Sequence, residues 1–388
     1  MRIDLTKYHI YQVFGFILSL FTSLILIRTL GKEEYGFYSY YLAFAQLLIT
    51  TICLGYDQSI NLIKDIAKLT PKRKVSAIFN AKVIVYLLLF FLSFIFFKNS
   101  WELLFFISLI SFFSLFDLSY FYMMENKLTR IALNFFISKL IFLLSALILL
   151  NFTKNYISYL LLFAFSYGVY VLIGNLTLNI KNSFNNKISF ISSIKLIINS
   201  LPMGFTRIFV FIEIVITLTI FKNLLSTNNF GIFMISYSIA TLISGLPSIF
   251  IMPIYNKITL NLTTLKKGLL ELVIIGLLFF LIIIVFFYFF NFSFLSNLLN
   301  IETNELDKII QNSVMYAFFL YSSSVTYNLI FLSKNKANNF YTIRIFYLIT
   351  LYYLVHNHNF SNIFFYLIST EILIFLILLF IKLIKLRL

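Results

Sequence analysis

The feature that most constrains this chain is a succession of apolar stretches, each about twenty residues long, separated only by short polar or charged clusters. Stretches of that length bury themselves in lipid, where every backbone N–H and C=O must be satisfied within the segment, so only helices or a closed barrel are possible. The stretches do not alternate apolar and polar residues, and this selects helices over barrel strands. Composition agrees: 61% of the 388 residues are hydrophobic and 11% are charged, where a soluble domain carries about 25% charge. The single cysteine, Cys53, excludes a disulfide framework and a Cys-based zinc site, and reads as a small buried apolar residue.

The pattern predicts an all-α polytopic membrane protein of about twelve transmembrane helices. The first six spans are expected near residues 8–30, 36–58, 77–97, 101–124, 131–150 and 156–178. Six more are expected near 200–221, 231–255, 268–290, 309–332, 339–356 and 361–381. The first apolar segment is too long for a signal peptide and lacks a small-residue cleavage site, so it is expected to persist as a span. Numbering the connections alternately puts 23 Lys and Arg residues on one side and 6 on the other, with Arg207 inside a span. The richer group includes Lys64 through Lys82 around the second connection and Lys127, Arg130 and Lys139 after the fourth span. By the positive-inside rule both termini are cytoplasmic. The formal charge of +16 then serves topology and attraction to anionic membrane lipids, and nucleic acid is not an expected partner.

A two-fold internal pattern runs through the chain. Arg28-Thr-Leu-Gly31-Lys-Glu-Glu-Tyr35-Gly36-Phe-Tyr joins the first two spans, and Lys222-Asn-Leu-Leu-Ser-Thr-Asn-Asn-Phe230-Gly231-Ile-Phe joins the seventh and eighth. Each is a cation, a short polar turn, an aromatic and a glycine. Met124-Glu-Asn126-Lys127 and Ser333-Lys-Asn335-Lys336 match in the same way. The offsets are 195 and 209 residues. Two six-helix lobes around a central cavity are expected, residues 1–180 and 200–388 with a cytoplasmic linker at 181–199, the arrangement in which transporters place substrate between repeats.

The Arg28 to Tyr38 segment resembles the start of the Wzx-type flippases, the polysaccharide exporters that move lipid-linked O-antigen units. Tyr120-Phe-Tyr-Met-Met-Glu125-Asn-Lys127 is similar to that family's aromatic-rich exit from the fourth span, and Leu201-Pro202-Met-Gly-Phe-Thr-Arg207 to the start of its second lobe. The turn before Gly231 departs from the family, with asparagines where members often have acidic residues. The resemblance implies the fold of the multidrug/oligosaccharidyl-lipid/polysaccharide exporter superfamily and a bacterial inner-membrane location. It further implies an undecaprenyl-pyrophosphate-linked oligosaccharide as substrate, and an O-antigen polymerase and chain-length regulator as partners.

An ionisable group at membrane depth costs about 2.5–3.5 kcal/mol on insertion scales, so each needs a partner, a wet cavity or a function. Arg207 lies about two turns into the seventh span, and Glu213, six residues on, is about 120° away around the helix, so the two cannot form a same-face pair. Arg207 reads either as half of an interhelical ion pair or as a phosphate-holding cation, the latter because guanidinium grips phosphate in bidentate fashion. Lys139 and Arg344, some way into the fifth and eleventh spans, either line the inner mouth of the same cavity or snorkel to headgroups. Arg28 and Lys222 occupy matching outer positions, as further substrate cations or as loop charges. Glu213 and Glu371 near mid-span, with Asp117 in the fourth span and Asp57 at the end of the second, are candidates for coupling to H+ or Na+, because a carboxyl in low dielectric titrates nearer neutrality. A structural hydrogen-bonded acid is the other reading. His356 and His358 have no ligand cluster around them and read as solvated, so no metal or other cofactor is expected.

The leading expectation is a flippase working by alternating access. A multidrug antiporter of the same fold is the nearest alternative, which the cations Lys139, Arg207 and Arg344 disfavour. A membrane polymerase or glycosyltransferase is disfavoured by the short outer connections, and Glu33-Glu34 serves the N-terminal dipole of the second helix. The charge bias makes a direct prediction about topology. Cysteine placed at Asn155 should react with an impermeant maleimide from outside the cell, and cysteine at Ser183 only after the cytoplasmic face is opened; the reverse pattern would invert the orientation.

Overall fold

In a computed structural model the described residues are 5–53, 71–97, 100–124, 127–177, 190–249, 271, 274–281, 313–318, 320–321 and 367. Within them all regular structure is helical. The first helical stretch, Leu5–Cys53, has 49 residues and is broken at Gly31, whose φ of 74° and ψ of 176° leave the helical region. A residue with a Cβ is strained at that φ, so glycine sets the turn between two spans, α1 (5–30) and α2 (32–53). There follow α3 (Pro71–Phe97), α4 (Trp101–Leu115), α5 (Ser119–Met124), α6 (Leu128–Leu149), α7 (Tyr156–Thr177), α8 (Phe190–Leu224) and α9 (Thr227–Ser248). Six of the described helical stretches, counting α1 and α2 together and α4 with α5, are long and apolar enough to cross a membrane. Phe91, Ile95, Ile148 and Leu176, each more than 60% exposed, are the lipid-facing surface of a multi-pass membrane protein.

The expected spans fall on these helices with two differences. The fourth is not continuous: helix α4 stops at Leu115 and α5 restarts at Ser119. The seventh is longer than expected, because α8 begins at Phe190. The spans expected from 268 onward lie almost wholly outside the described residues.

Contacts group the chain into two units: Met1–Thr22 with Phe37–Leu218, and Ser23–Gly36 with Thr219–Leu388. In the first unit α4 packs on α3 and α7, and α6 packs on α7. The periodicity explains this arrangement. Leu103, Phe106, Ile107, Ile110 and Ser114 form the buried stripe of α4, at the three-and-four spacing of one helix face. Leu128, Ala132, Ser138, Phe142 and Ala146 do the same for α6. Without a water-driven force between helices in lipid, close packing and interhelical hydrogen bonds must hold them. Tyr122 Oη donates to the Gly174 carbonyl at 2.6 Å, and Ser138 Oγ donates to the Ser166 carbonyl at 3.0 Å. A core of Ile52, Ile78, Ala81, Leu118, Tyr120 and Ile208 joins α2, α3, the α4–α5 segment and α8.

In the second unit the turn between α1 and α2 meets the start of α9. Gly36 and Gly231, the glycines that end the two matching sequence segments, lie against each other: a Cβ on Gly36 would sit 3.0 Å from the Gly231 Cα. A Cβ on Gly231 would collide with the Lys32 carbonyl, which is backbone and cannot swing away. Phe221 and Phe233 pack with ring centroids 4.7 Å apart, and Ser313 Oγ donates to the Ser236 carbonyl at 3.0 Å. Gly231→Ala is therefore expected to destabilise the protein by about 1–3 kcal/mol, the usual cost of overpacking. The check is the melting temperature of the detergent-purified protein; an unchanged value would show that this crossing is loose.

Candidate functional site

The break in the fourth span creates the site. One turn before it, Ser114 Oγ donates to the Ile110 carbonyl at 2.8 Å, a bond that competes with the helix ladder and weakens its continuation. The N–H groups of Phe116 and Asp117 then drop back to the carbonyls of Phe113 and Ser114, at 3.1 and 3.3 Å, the tighter i→i−3 pattern of a helix end. Asp117 Oδ1 accepts from the Ser119 N–H at 2.9 Å, an Asx turn that starts α5. Its other oxygen, Oδ2, accepts from Tyr167 Oη of α7 at 3.0 Å.

Lys82 from α3 reaches two carbonyls at the break, that of Asp117 and that of Ser114, which also accepts from the Asp117 N–H. Its Nζ donates to the Asp117 carbonyl at 2.6 Å, to the Ser114 carbonyl at 3.1 Å and to Cys53 Sγ at 3.6 Å. The Tyr120 ring lies 5.4 Å from the same nitrogen. The three donors of an ammonium are thus all used. Lys82, counted in the sequence among the charges around the second connection, is only 1% exposed. It falls on the buried face of α3 with Ile78, Ala81 and Val85, and that register, four residues after Ile78 and three before Val85, was the available sequence signal.

Beside the break is a cavity of about 360 Å³ in the first unit, lined on its polar side by Gln46, Thr50, Cys53, Asp117, Ser119 and Tyr167, and nearby by Ser138, Lys139 and Ser166. Phe135, Phe163, Tyr170 and Phe211 complete its aromatic wall. Lys139 turns inward here rather than snorkelling: its Nζ stands 5.4 Å from the centroid of Phe135 and 5.6 Å from that of Phe163. Two ring faces stabilise a desolvated ammonium by cation–π attraction and leave its N–H donors available to a ligand. The cavity therefore offers a cation, an acid with two accepting oxygens, and several hydroxyls.

The other candidates fall elsewhere. Glu213 is buried, 4% exposed, on α8, away from the cavity lining. Arg28 is exposed on α1 and Lys222 half-buried near the end of α8, both in the second unit. The backbone of Arg207 belongs to α8, but its side chain lies outside the described residues, as do Asp57, Arg344 and Glu371. Of the nine candidates, Asp117 and Lys139 are thus brought together in one cavity, and Lys82 is the functional-site residue that the sequence reading missed.

No protein-family model matches the sequence, and no curated protein matches it. Solved structures do match in fold. An inward-facing multidrug resistance MATE family transporter of the MOP superfamily aligns with a TM-score of 0.68 at 14% identity, over 94% of this chain and 93% of that one. The eukaryotic MATE transporter AtDTX14 aligns with a TM-score of 0.61 at 12% identity, over 97% and 92%. A MOP superfamily transporter from Pyrococcus furiosus, for which a reversed polarity of the binding pocket has been taken to suggest a different function, aligns with a TM-score of 0.57 at 13% identity, over 98% and 95%. The chain has the fold of MATE transporters.

The hydrogen bond between Tyr167 and Asp117 yields a test of the site's integrity. Tyr167→Phe leaves the buried Asp117 Oδ2 without this donor and should cost about 1–3 kcal/mol, the usual penalty of an unsatisfied buried acceptor. Thermal melting in detergent measures it, and a variant as stable as the wild type would show that the bond contributes nothing.

Proposed function

We propose that this protein is a flippase that carries an undecaprenyl-pyrophosphate-linked O-antigen or capsule oligosaccharide from the cytoplasmic to the periplasmic leaflet of a bacterial inner membrane. The transporter fold supports a carrier rather than an enzyme. The resemblance of the Arg28, Tyr120 and Leu201 segments supports the polysaccharide-exporter branch. The observation that carries the substrate reading is Lys139, an ammonium inside an aromatic-walled cavity, held by rings and by no carboxylate among the described residues. Such a cation attracts a phosphate rather than an organic cation. Arg207, Arg344, Arg28 and Lys222 are proposed as further substrate-binding cations.

Coupling is assigned to Asp117, with Glu213, Glu371 and Asp57 as further acids. Both oxygens of Asp117 accept hydrogen bonds, one from the backbone that starts α5 and one from Tyr167. A proton on Asp117 adds an O–H donor where the carboxylate only accepts, so that the donor and acceptor roles within this pair of bonds rearrange. Protonation is thereby linked to the geometry of the break. A second reading is favoured by the same carboxylate beside Phe135, Tyr167 and Tyr170: a multidrug antiporter that accepts organic cations.

Export assays separate the two. In a strain deleted for the gene, Lys139→Ala and Arg207→Ala at wild-type abundance should each lower surface polysaccharide about tenfold or more, the loss of one charge-assisted contact. Lys139→Arg and Arg207→Lys should retain part of it. Full export by both alanine variants would remove these cations from substrate binding. Restored resistance to cationic drugs, without any effect on polysaccharide, would favour the antiporter.

A further inference from the structure

Carbonyl groups exposed where a membrane helix is broken are the usual ligands of a transported or coupling alkali cation. In this chain those groups already face a lysine ammonium. Ser114 O, Asp117 O and Cys53 Sγ converge on a single point, from α4, the break and α2, with the Tyr120 ring over it. The point is filled by Lys82 Nζ, carried in from a third helix and buried to 1% exposure. Carrying a charge this deep is costly, and a helix end can be closed without one by tightening its last turn or by capping hydroxyls. The first of these is present at this break, in the i→i−3 bonds of Phe116 and Asp117. The ammonium therefore answers a different need, a monovalent positive charge at a cluster of oxygen and sulfur acceptors.

We infer that Lys82 is a tethered monovalent cation occupying an alkali-ion site at the α4–α5 break, so that this unit needs no sodium there, and that removing the tether converts the place into a sodium site. The site lies immediately behind the cavity wall, because Cys53 and Asp117 line the cavity and also touch Lys82. A free ion would thus reach it from the cavity once the lysine stem is gone. The carbonyl pair favours a hard cation, and the adjoining Asp117 carboxylate adds negative charge. The inference concerns the ion and not the transported molecule, so it stands whichever substrate the protein carries.

The experiment compares the melting temperatures of full-length wild type and Lys82→Ala in detergent, in sodium chloride and in choline chloride at equal ionic strength. The alanine variant should melt lower than the wild type in choline. Replacing about 100 mM choline by sodium should raise its melting temperature by about 3 °C or more beyond any rise seen in the wild type, as ligand binding to the native state requires. Lys82→Ser serves the same comparison if the alanine variant does not fold, since its short side chain also vacates the ammonium position. Equal sodium responses in variant and wild type would reduce Lys82 to a structural cap and overturn the inference. A sodium response already present in the wild type and lost in Asp117→Asn would overturn it as well, since the ion would then bind despite the lysine.

Discussion

The first unit depends on how the backbone is satisfied at the interruption of its fourth span. A membrane interior supplies no water to a helix end, and each unpaired carbonyl there costs several kcal/mol. The chain closes the account from three directions: the Asp117 side chain takes the Ser119 N–H, tightened turns use the N–H groups of Phe116 and Asp117, and an ammonium from α3 takes two carbonyls. The Tyr167 bond to Asp117 then ties the same point to α7. Four helical segments meet at one polar node, and the hydrophobic packing of Ile78, Ala81, Leu118 and Tyr120 surrounds it. The cavity opens beside this node, with Asp117 and Ser119 in its lining.

Two lysines on different membrane helices show how environment sets the work of a side chain. Lys82 has all three donors engaged by protein atoms, so it is part of the scaffold unless that scaffold is altered. Lys139 meets aromatic faces instead, which lower the cost of its charge without consuming its N–H groups. One is a completed contact and the other an open one. A binding pocket needs the second kind, and it also needs the first to hold its wall in shape.

Much of this was legible in the sequence. Spans of the right length put helices at 101–124, 131–150 and 156–178 within a few residues of their observed ends, because hydropathy reports burial in lipid directly. Gly31, Gly36 and Gly231 stood out as punctuation, and two of them meet in the structure. What hydropathy could not show was direction: an apolar run containing Asp117 reads the same whether the helix is continuous or broken. The Asp-Leu-Ser sequence of an Asx turn was the local clue. Lys82 did not stand out for a related reason. It follows the basic run Lys72-Arg73-Lys74 and lies near the expected start of its span, where a lysine normally snorkels, and only its register with Ile78 and Val85 sets it apart. Glu213 lies buried on α8, but nothing in the sequence could say that the cavity would open beside Phe211 instead.

The position of the Lys82 acceptors also has a consequence for biosynthesis. The ribosome delivers α3 before it has made Ser114 and Asp117, which follow by 32 and 35 residues. On its own, α3 would enter lipid with a lysine that adds about 2.5–3.5 kcal/mol to insertion, and with no partner yet synthesised. The two helices are separated only by residues 98–100, so the natural unit of insertion is the α3–α4 hairpin, delivered to the bilayer together once the break has emerged. Assembly order is thus written into the contact: the cation cannot settle until the helix that receives it has been made.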